Sequence, residues 1–220
     1  MKRRLIAAFA LLIIMAGLLM GPDLFNAYQL DRHITRSSAA YDSEGLWPHL
    51  ADACVSCHGV DGNSVNGHYP ALAGQQADYL IAQLRRFASR ERVDSIMNPM
   101  AGSLSDADID ALAKHFARKT PLANPYFDAP SVLQKNGERL VTQGACGTCH
   151  GNSLMGQAKF PRLAGQSYNY LLKQLVAFST GTRQDPSRVM NQLAARWSPS
   201  EQASIAAYLA SRPIAGGTTR

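Results

Sequence analysis

The chain has 220 residues, 46% hydrophobic and 17% charged. That composition excludes a disordered polymer and leaves room for one large domain or two small ones. Its net charge of +6 contains no run of five or more Lys or Arg, which excludes a nucleic-acid-binding tail, and four cysteines are too few for a disulfide scaffold.

The N-terminus opens with Lys2, Arg3 and Arg4, followed by an uncharged run from Leu5 to Met20 that Gly21-Pro22 ends. A basic head before an apolar stretch is an export signal and keeps the N-terminus in the cytoplasm. The run is longer than most signal cores, about 7–15 residues, and shorter than the usual spanning helix of about 20. No small-x-small cleavage site follows it, because Leu24-Phe25-Asn26-Ala27 places a bulky residue where a small one is needed. Residues 1–22 are therefore expected to be a membrane anchor or signal segment, with a retained anchor favoured. Residues 23–44 read as a polar tether.

A repeat organises the rest. Cys54-x-x-Cys57-His58-Gly59 recurs 92 residues later as Cys146-x-x-Cys149-His150-Gly151. Pro70-Ala71-Leu72-Ala73-Gly74-Gln75 recurs 91 residues later as Pro161-Arg162-Leu163-Ala164-Gly165-Gln166. Tyr79, Leu80, Gln83, Leu84 and Phe87 match Tyr170, Leu171, Gln174, Leu175 and Phe178 at the same offset, and Met97 and Ser105 match Met190 and Ser198 at 93. Two copies of one domain result, at 45–119 and 131–213, with a short tail at 214–220. Each copy is expected to hold three helices. The first runs into the cysteine pair, and the second begins near Gln75 or Gln166 with apolar spacing at Tyr79, Leu80, Leu84 and Phe87. The third starts at Ser105 with Asp108, or at Ser198-Pro199 with Glu201, both in capping-box register. Pro121 and Pro213 stop these last helices. Between the copies, residues 120–130 contain Pro121, Pro125 and Pro130, a stiff connector expected to hold two domains at a set separation.

CxxCH is the attachment signature for c-type haem. The thiols add to the two vinyl groups of the porphyrin, and the adjacent His reaches the iron from below. Two such motifs, using all four cysteines at matching places in a repeat, exclude the rival readings. A zinc ribbon needs about 15–20 residues between its pairs, whereas 88 residues separate Cys57 from Cys146. A thioredoxin-like site needs a βαβ setting. The expected cofactors are two covalently bound haem c groups, on Cys54 and Cys57 and on Cys146 and Cys149, with His58 and His150 on the irons.

Met97, Met100 and Met190 are the candidates for the sixth iron position. Only Met97 and Met190 stand eight residues before a helix-capping serine, 40 and 41 residues after their haem cysteines. Met100 aligns with Leu193 and reads as core. His/Met ligation raises the haem potential and closes the iron to small ligands, which favours electron transfer over catalysis. Pro70 and Pro161 follow their histidines by 12 and 11 residues. Their carbonyls are the proposed acceptors for the second ring N–H of each axial His, although a plain turn proline fits the spacing equally well. His33, His49, His68 and His115 lack repeat partners and read as surface or satisfied core.

Both CxxCH motifs, the two P-x-L-A-G-Q segments, the Y-L-x-x-Q-L-x-x-F helices and the Met-to-Ser-to-helix endings make residues 45–213 resemble the cytochrome c4 family. The resemblance implies an all-α fold of two tandem class I cytochrome c domains after an N-terminal apolar helix. It also implies low-spin His/Met haems and a location on the periplasmic side of the bacterial inner membrane, anchored by residues 5–22 if uncleaved and soluble otherwise. It further implies electron transfer from a quinol-oxidising cytochrome bc complex or a dehydrogenase toward a terminal haem-copper oxidase. The rival readings are a cytochrome subunit dedicated to one dehydrogenase or reductase, and a dihaem peroxidase, which needs an open sixth position that Met97 and Met190 would fill. Residues 131–220 carry ten basic and three acidic side chains, against nine and thirteen in residues 23–130. The basic half would steer an acidic partner, and a basic surface with no partner fits the same count.

Overall fold

A computed structural model describes residues 50–64, 67–123 and 127–214. The apolar run and the tether lie outside the described residues, and among those described no helix is long and apolar enough to cross a membrane.

The first half holds α1 (Asp52–His58), α2 (Ala77–Ala88), α3 (Met97–Gly102) and α4 (Asp106–Arg118). The second holds α5 (Ser131–Gln143), α6 (Gly147–His150), α7 (Tyr168–Ser179), α8 (Val189–Ala194) and α9 (Pro199–Ser211). No strand occurs among the described residues; the single β-bridge joins Gln157 and Phe160.

The last helix of each half starts where the capping arithmetic places it. The Ser105 hydroxyl accepts from the Asp108 N–H while the Asp108 carboxylate accepts from the Ser105 N–H, and Ser198 with Glu201 repeats the arrangement. The Ser105 hydroxyl and N–H, both donating to Asp108, hold its carboxyl below its ordinary pKa, and the Ser198 N–H and hydroxyl do the same for Glu201. Ile109, Leu112, Ala113 and Phe116 then form the buried stripe of α4, at spacings of three, four and seven. Ile205, Ala206, Leu209 and Ala210 do the same on α9.

Two expectations need correction. Among the described residues the first half contains one more α-helix than the three predicted and the second half two more; in each, a short helix, α3 or α8, carries Met97 or Met190 at its start. In the second half α5 ends at Gln143, and the haem motif occupies its own turn, α6, because Gly144 and the left-handed Ala145 interrupt the helix between them. The second correction concerns the connector. The residues from Leu50 onward form one compact unit, and the two halves touch directly through the hydrogen bonds described below. Direct contact joins the two halves in addition to the connector between them. The start of the connector is itself tied down, since Asn63 donates to Thr120 O at 3.0 Å and accepts from Leu122 N at 2.8 Å.

In the second half α5 and α9 cross with Gly137 at the contact. A Cβ there would stand 2.1 Å from Ser204 O and 2.6 Å from Tyr208 Cβ. Replacing a helical glycine by alanine ordinarily gains about 0.5–1 kcal/mol. At this position the sign should reverse, because the clashing atom is backbone and the helices must part. Gly137→Ala is expected to cost about 1–3 kcal/mol in denaturant unfolding of the second domain; a gain would contradict so close a crossing.

Candidate haem sites

Each CxxCH motif lies on a short helix that ends on its histidine. Gly59 and Gly151 follow with φ of +78° and +79°, so the chain turns sharply away and leaves the imidazole facing inward. A side chain at Gly59 would collide with Asn63 O, 2.0 Å from the position of its Cβ. None of the four cysteines is in a disulfide.

His58 and His150 are buried, at 7% and 6% exposure. Nδ1 of His58 lies 2.8 Å from Pro70 O, and Nδ1 of His150 lies 2.8 Å from Pro161 O. A carbonyl only accepts, so each Nδ1 carries the proton and each Nε2 keeps its lone pair. Burial lowers both imidazole pKa values, and the bond to the proline carbonyl partly opposes it, so both rings are neutral at pH 7. A neutral imidazole with a fixed tautomer is the form that binds iron. Tyr69 and Phe160, immediately before the prolines, stand edge-on to the two rings, each at 6.2 Å between centroids.

A cavity of about 1480 Å³ runs through both halves, lined by Cys57, His58 and Met97 from the first and by Cys149, His150 and Met190 from the second. It exceeds the roughly 300–1,000 Å³ of a pocket for one drug-sized ligand. Met97 and Met190 are both half-buried. The asparagine after each methionine ties its loop in place. Asn98 donates to Phe87 O and Arg92 O at 2.7 and 2.8 Å, and Asn191 donates to Phe178 O and Arg183 O, both at 2.8 Å. Met100 is not core: it is 41% exposed and lines the same cavity at its rim. His68 is exposed, and His115 is partly buried, edge-on to Phe116 at 5.0 Å. His33 and His49 lie outside the described residues.

Between the halves runs a polar network in which every contact occurs twice. Arg92 donates to Gln83 at 2.8 Å, to Tyr170 at 3.1 Å and to Gln174 at 3.0 Å. Arg183 donates to Gln174, to Tyr79 at 3.1 Å and to Gln83 at 2.8 Å. Each guanidinium also lies over a phenylalanine of its own half, Arg92 over Phe87 at 4.4 Å and Arg183 over Phe178 at 4.5 Å. The sequence signal for this network was present: Arg92 and Arg183 stand 91 residues apart, as do the two Tyr and two Gln partners. Tyr79 and Tyr170 belong to the apolar pattern of their helices yet turn their hydroxyls to the opposite half.

This network tests whether the residues fit haem. Among the described residues neither Arg92 nor Arg183 pairs with a carboxylate. Burial raises the Tyr170 phenol, but the two guanidiniums outweigh it and pull the group down to about 8. The buried Nε atoms of Arg162 and Arg183 have no hydrogen-bond partner. Arg162 is 1% exposed, its guanidinium donates only to Ala164 O at 2.6 Å and Ala73 O at 2.9 Å, and burial lowers its pKa to about 10. Buried cations short of anions beside a large cavity fit the propionates of a porphyrin.

The comparisons agree with this chemistry. The Cytochrome c family profile matches residues 49–117 and 134–213. The chain belongs to the cytochrome c family. It carries two covalent haem c groups, one on Cys54 and Cys57 and one on Cys146 and Cys149. The crystal structure of reduced recombinant cytochrome c4 from Pseudomonas stutzeri matches with a TM-score of 0.69 and 32% identity, covering 74% of this chain and 95% of that one. That match places the chain in the two-domain cytochrome c4 branch. The "Thiosulfate dehydrogenase electron acceptor" of Thiomonas intermedia is 36% identical over 187 residues, 80% of this chain and 86% of the relative. A structure of thiosulfate dehydrogenase (TsdBA) from Marichromatium purpuratum matches with a TM-score of 0.68 and 37% identity, over 74% of this chain and 37% of that longer one.

Domains of roughly 80 residues bury little apolar surface unaided. In the first half the buried hydrophobic cluster is only Leu80, Leu112, Ala113 and Phe116. Replacing Cys146 and Cys149 by Ala should lower the haem count by one and make the C-terminal domain sensitive to limited proteolysis. A protease-resistant second domain without haem would contradict this.

Proposed function

We propose that the chain is an electron relay whose two low-spin haems are each ligated by His and Met, and that it takes its electrons from a thiosulfate dehydrogenase. The observation that carries the ligation is the doubled geometry: a buried neutral imidazole fixed on a proline carbonyl and a methionine at the start of a short helix, lining one cavity. His58 and Met97 bind the first iron, and His150 and Met190 the second. Pro70 and Pro161 orient the two imidazoles and raise their basicity. The haems supply one-electron chemistry. The chain's own residues hold the axial ligands, exclude water and pair the propionates through Arg92 and Arg183. No general base or nucleophile is needed, and a filled sixth position argues against a peroxidase.

Replacing Met97 or Met190 by Ala should lower the potential of one haem and let that ferric haem bind cyanide, while the other haem is unchanged. Rapid cyanide binding by the parent chain would favour the peroxidase instead.

The donor reading rests on likeness. A relative of nearly equal length is named as the acceptor of thiosulfate dehydrogenase, and part of a thiosulfate dehydrogenase chain shares this fold. This moves the weight from a cytochrome bc complex to a dehydrogenase as the donor, with a haem-copper oxidase as the onward acceptor. The basic head and apolar run of residues 1–22 put both domains on the periplasmic side. Two of the ten basic residues beyond position 130, Arg162 and Arg183, are buried, so the positive surface available to steer a partner is smaller than the sequence count implies. Thiosulfate with catalytic thiosulfate dehydrogenase should reduce both haems within seconds in stopped-flow absorbance. Reduction by a quinol-oxidising bc complex alone would restore the other donor.

A further inference from the structure

Two buried glutamines, Gln75 and Gln166, at 4% and 2% exposure, each reach out of their own domain and grip the backbone N–H and C=O of one residue of the other. Oε1 of Gln166 accepts from Ala71 N–H at 2.8 Å, and its Nε2 donates to Ala71 O at 2.9 Å. Oε1 of Gln75 accepts from Arg162 N–H at 2.6 Å, and its Nε2 donates to Arg162 O at 3.2 Å. In each case Oε1 also accepts the N–H of the next residue in its own chain segment, Ser167 or Gln76, which fixes which amide atom is oxygen.

The gripped N–H groups belong to particular peptides. Ala71 N–H shares its peptide with Pro70 C=O, and Arg162 N–H shares its peptide with Pro161 C=O. Those carbonyls hold Nδ1 of His58 and His150. The amide is delocalised, so a hydrogen bond donated by its N–H draws negative charge onto its oxygen. Hydrogen bonds in such a chain strengthen one another by about 10–30% each. The line therefore runs from a glutamine in one domain, through a single peptide, to the imidazole of the other.

We propose that Gln75 and Gln166 are positioning residues that set the potential of the haem in the opposite domain: Gln166 for the first haem, Gln75 for the second. A more negative proline carbonyl takes the Nδ1 proton more strongly. Nε2 then becomes a better donor to iron, the ferric state gains more than the ferrous, and the potential falls. The same contacts that join the domains thereby make each haem's potential depend on its neighbour being docked. The inference rests on His58 and His150 being the axial ligands proposed above.

The test is a spectroscopic redox titration of the haem-loaded full chain, with the haem methyl signals assigned to their domains by NMR. Gln166→Met, close in shape and without the amide, should raise the potential of the first haem and leave the second. Gln75→Met should raise the second and leave the first. Gln166→Glu keeps an acceptor oxygen for Ala71 N–H and should hold the first haem at or below its parent potential. A glutamine that only fastened the interface would move both haems together or neither. That pattern, a shift confined to the variant's own domain, or a rise in Gln166→Glu, would overturn the proposal. Each glutamine is tested separately, so one poorly assembling variant leaves the other arm decisive. Unmoved potentials in variants with intact Met-ligated spectra defeat this inference alone; a parent chain lacking His/Met spectra defeats the ligation it rests on.

Discussion

A porphyrin bonded to the chain at two thiols has to be enclosed by a domain too small to have a full core without it. The consequences of that constraint run through the whole structure. Buried hydrophobic side chains form small clusters, four residues in the first half and nine in the second, beside a cavity that spans both. The short turn carrying each CxxCH motif, the positive-φ glycine after it and the bond from imidazole to proline carbonyl hold one side of that cavity rigid. The methionine loops close the other side, tied by Asn98 and Asn191 to the helices that precede them. A rigid site suits electron transfer, where only the oxidation state of iron changes and reorganisation on either side slows the step.

Duplication gives the molecule its second property. Copies of one domain meet through reciprocal contacts, in which Arg92 and Arg183, Tyr79 and Tyr170, and Gln75 and Gln166 make matching bonds across the boundary. The places where the copies differ are informative. Ala71 corresponds to Arg162, and the second domain thereby gains a buried guanidinium whose partners are carbonyls from both halves. A cation near one haem and absent at the other separates the two environments, which duplication alone leaves equal.

Much of this was legible in the residues. The haem attachment, the tandem repeat and the capped last helices follow from local chemistry that tolerates little variation: thiols at vinyl spacing, a hydroxyl with a carboxylate three residues on. Pairwise recurrence carried Met97 and Met190 to matching positions that no single-site argument reaches. What stayed hidden depends on tertiary contact. The short helices at the methionines are too brief for periodicity to reveal. Direct contact between the halves was missed because its residues were assigned to other tasks: Tyr79 and Tyr170 to an apolar stripe, the prolines between the domains to a spacer. Met100 read as core because it aligns with Leu193 and a lone methionine usually packs, whereas here it lines the cavity at 41% exposure.

The claim on which the account turns is that two irons sit in equivalent ligand fields built by this chain. Proton NMR of the fully reduced protein tests it most directly, because a methionine bound to low-spin iron has its methyl signal moved far upfield by the porphyrin ring current. The account requires two such methyl signals, assigned to Met97 and Met190. A spectrum with one such signal, or with the signals assigned to Met100 or to no methionine, would contradict it.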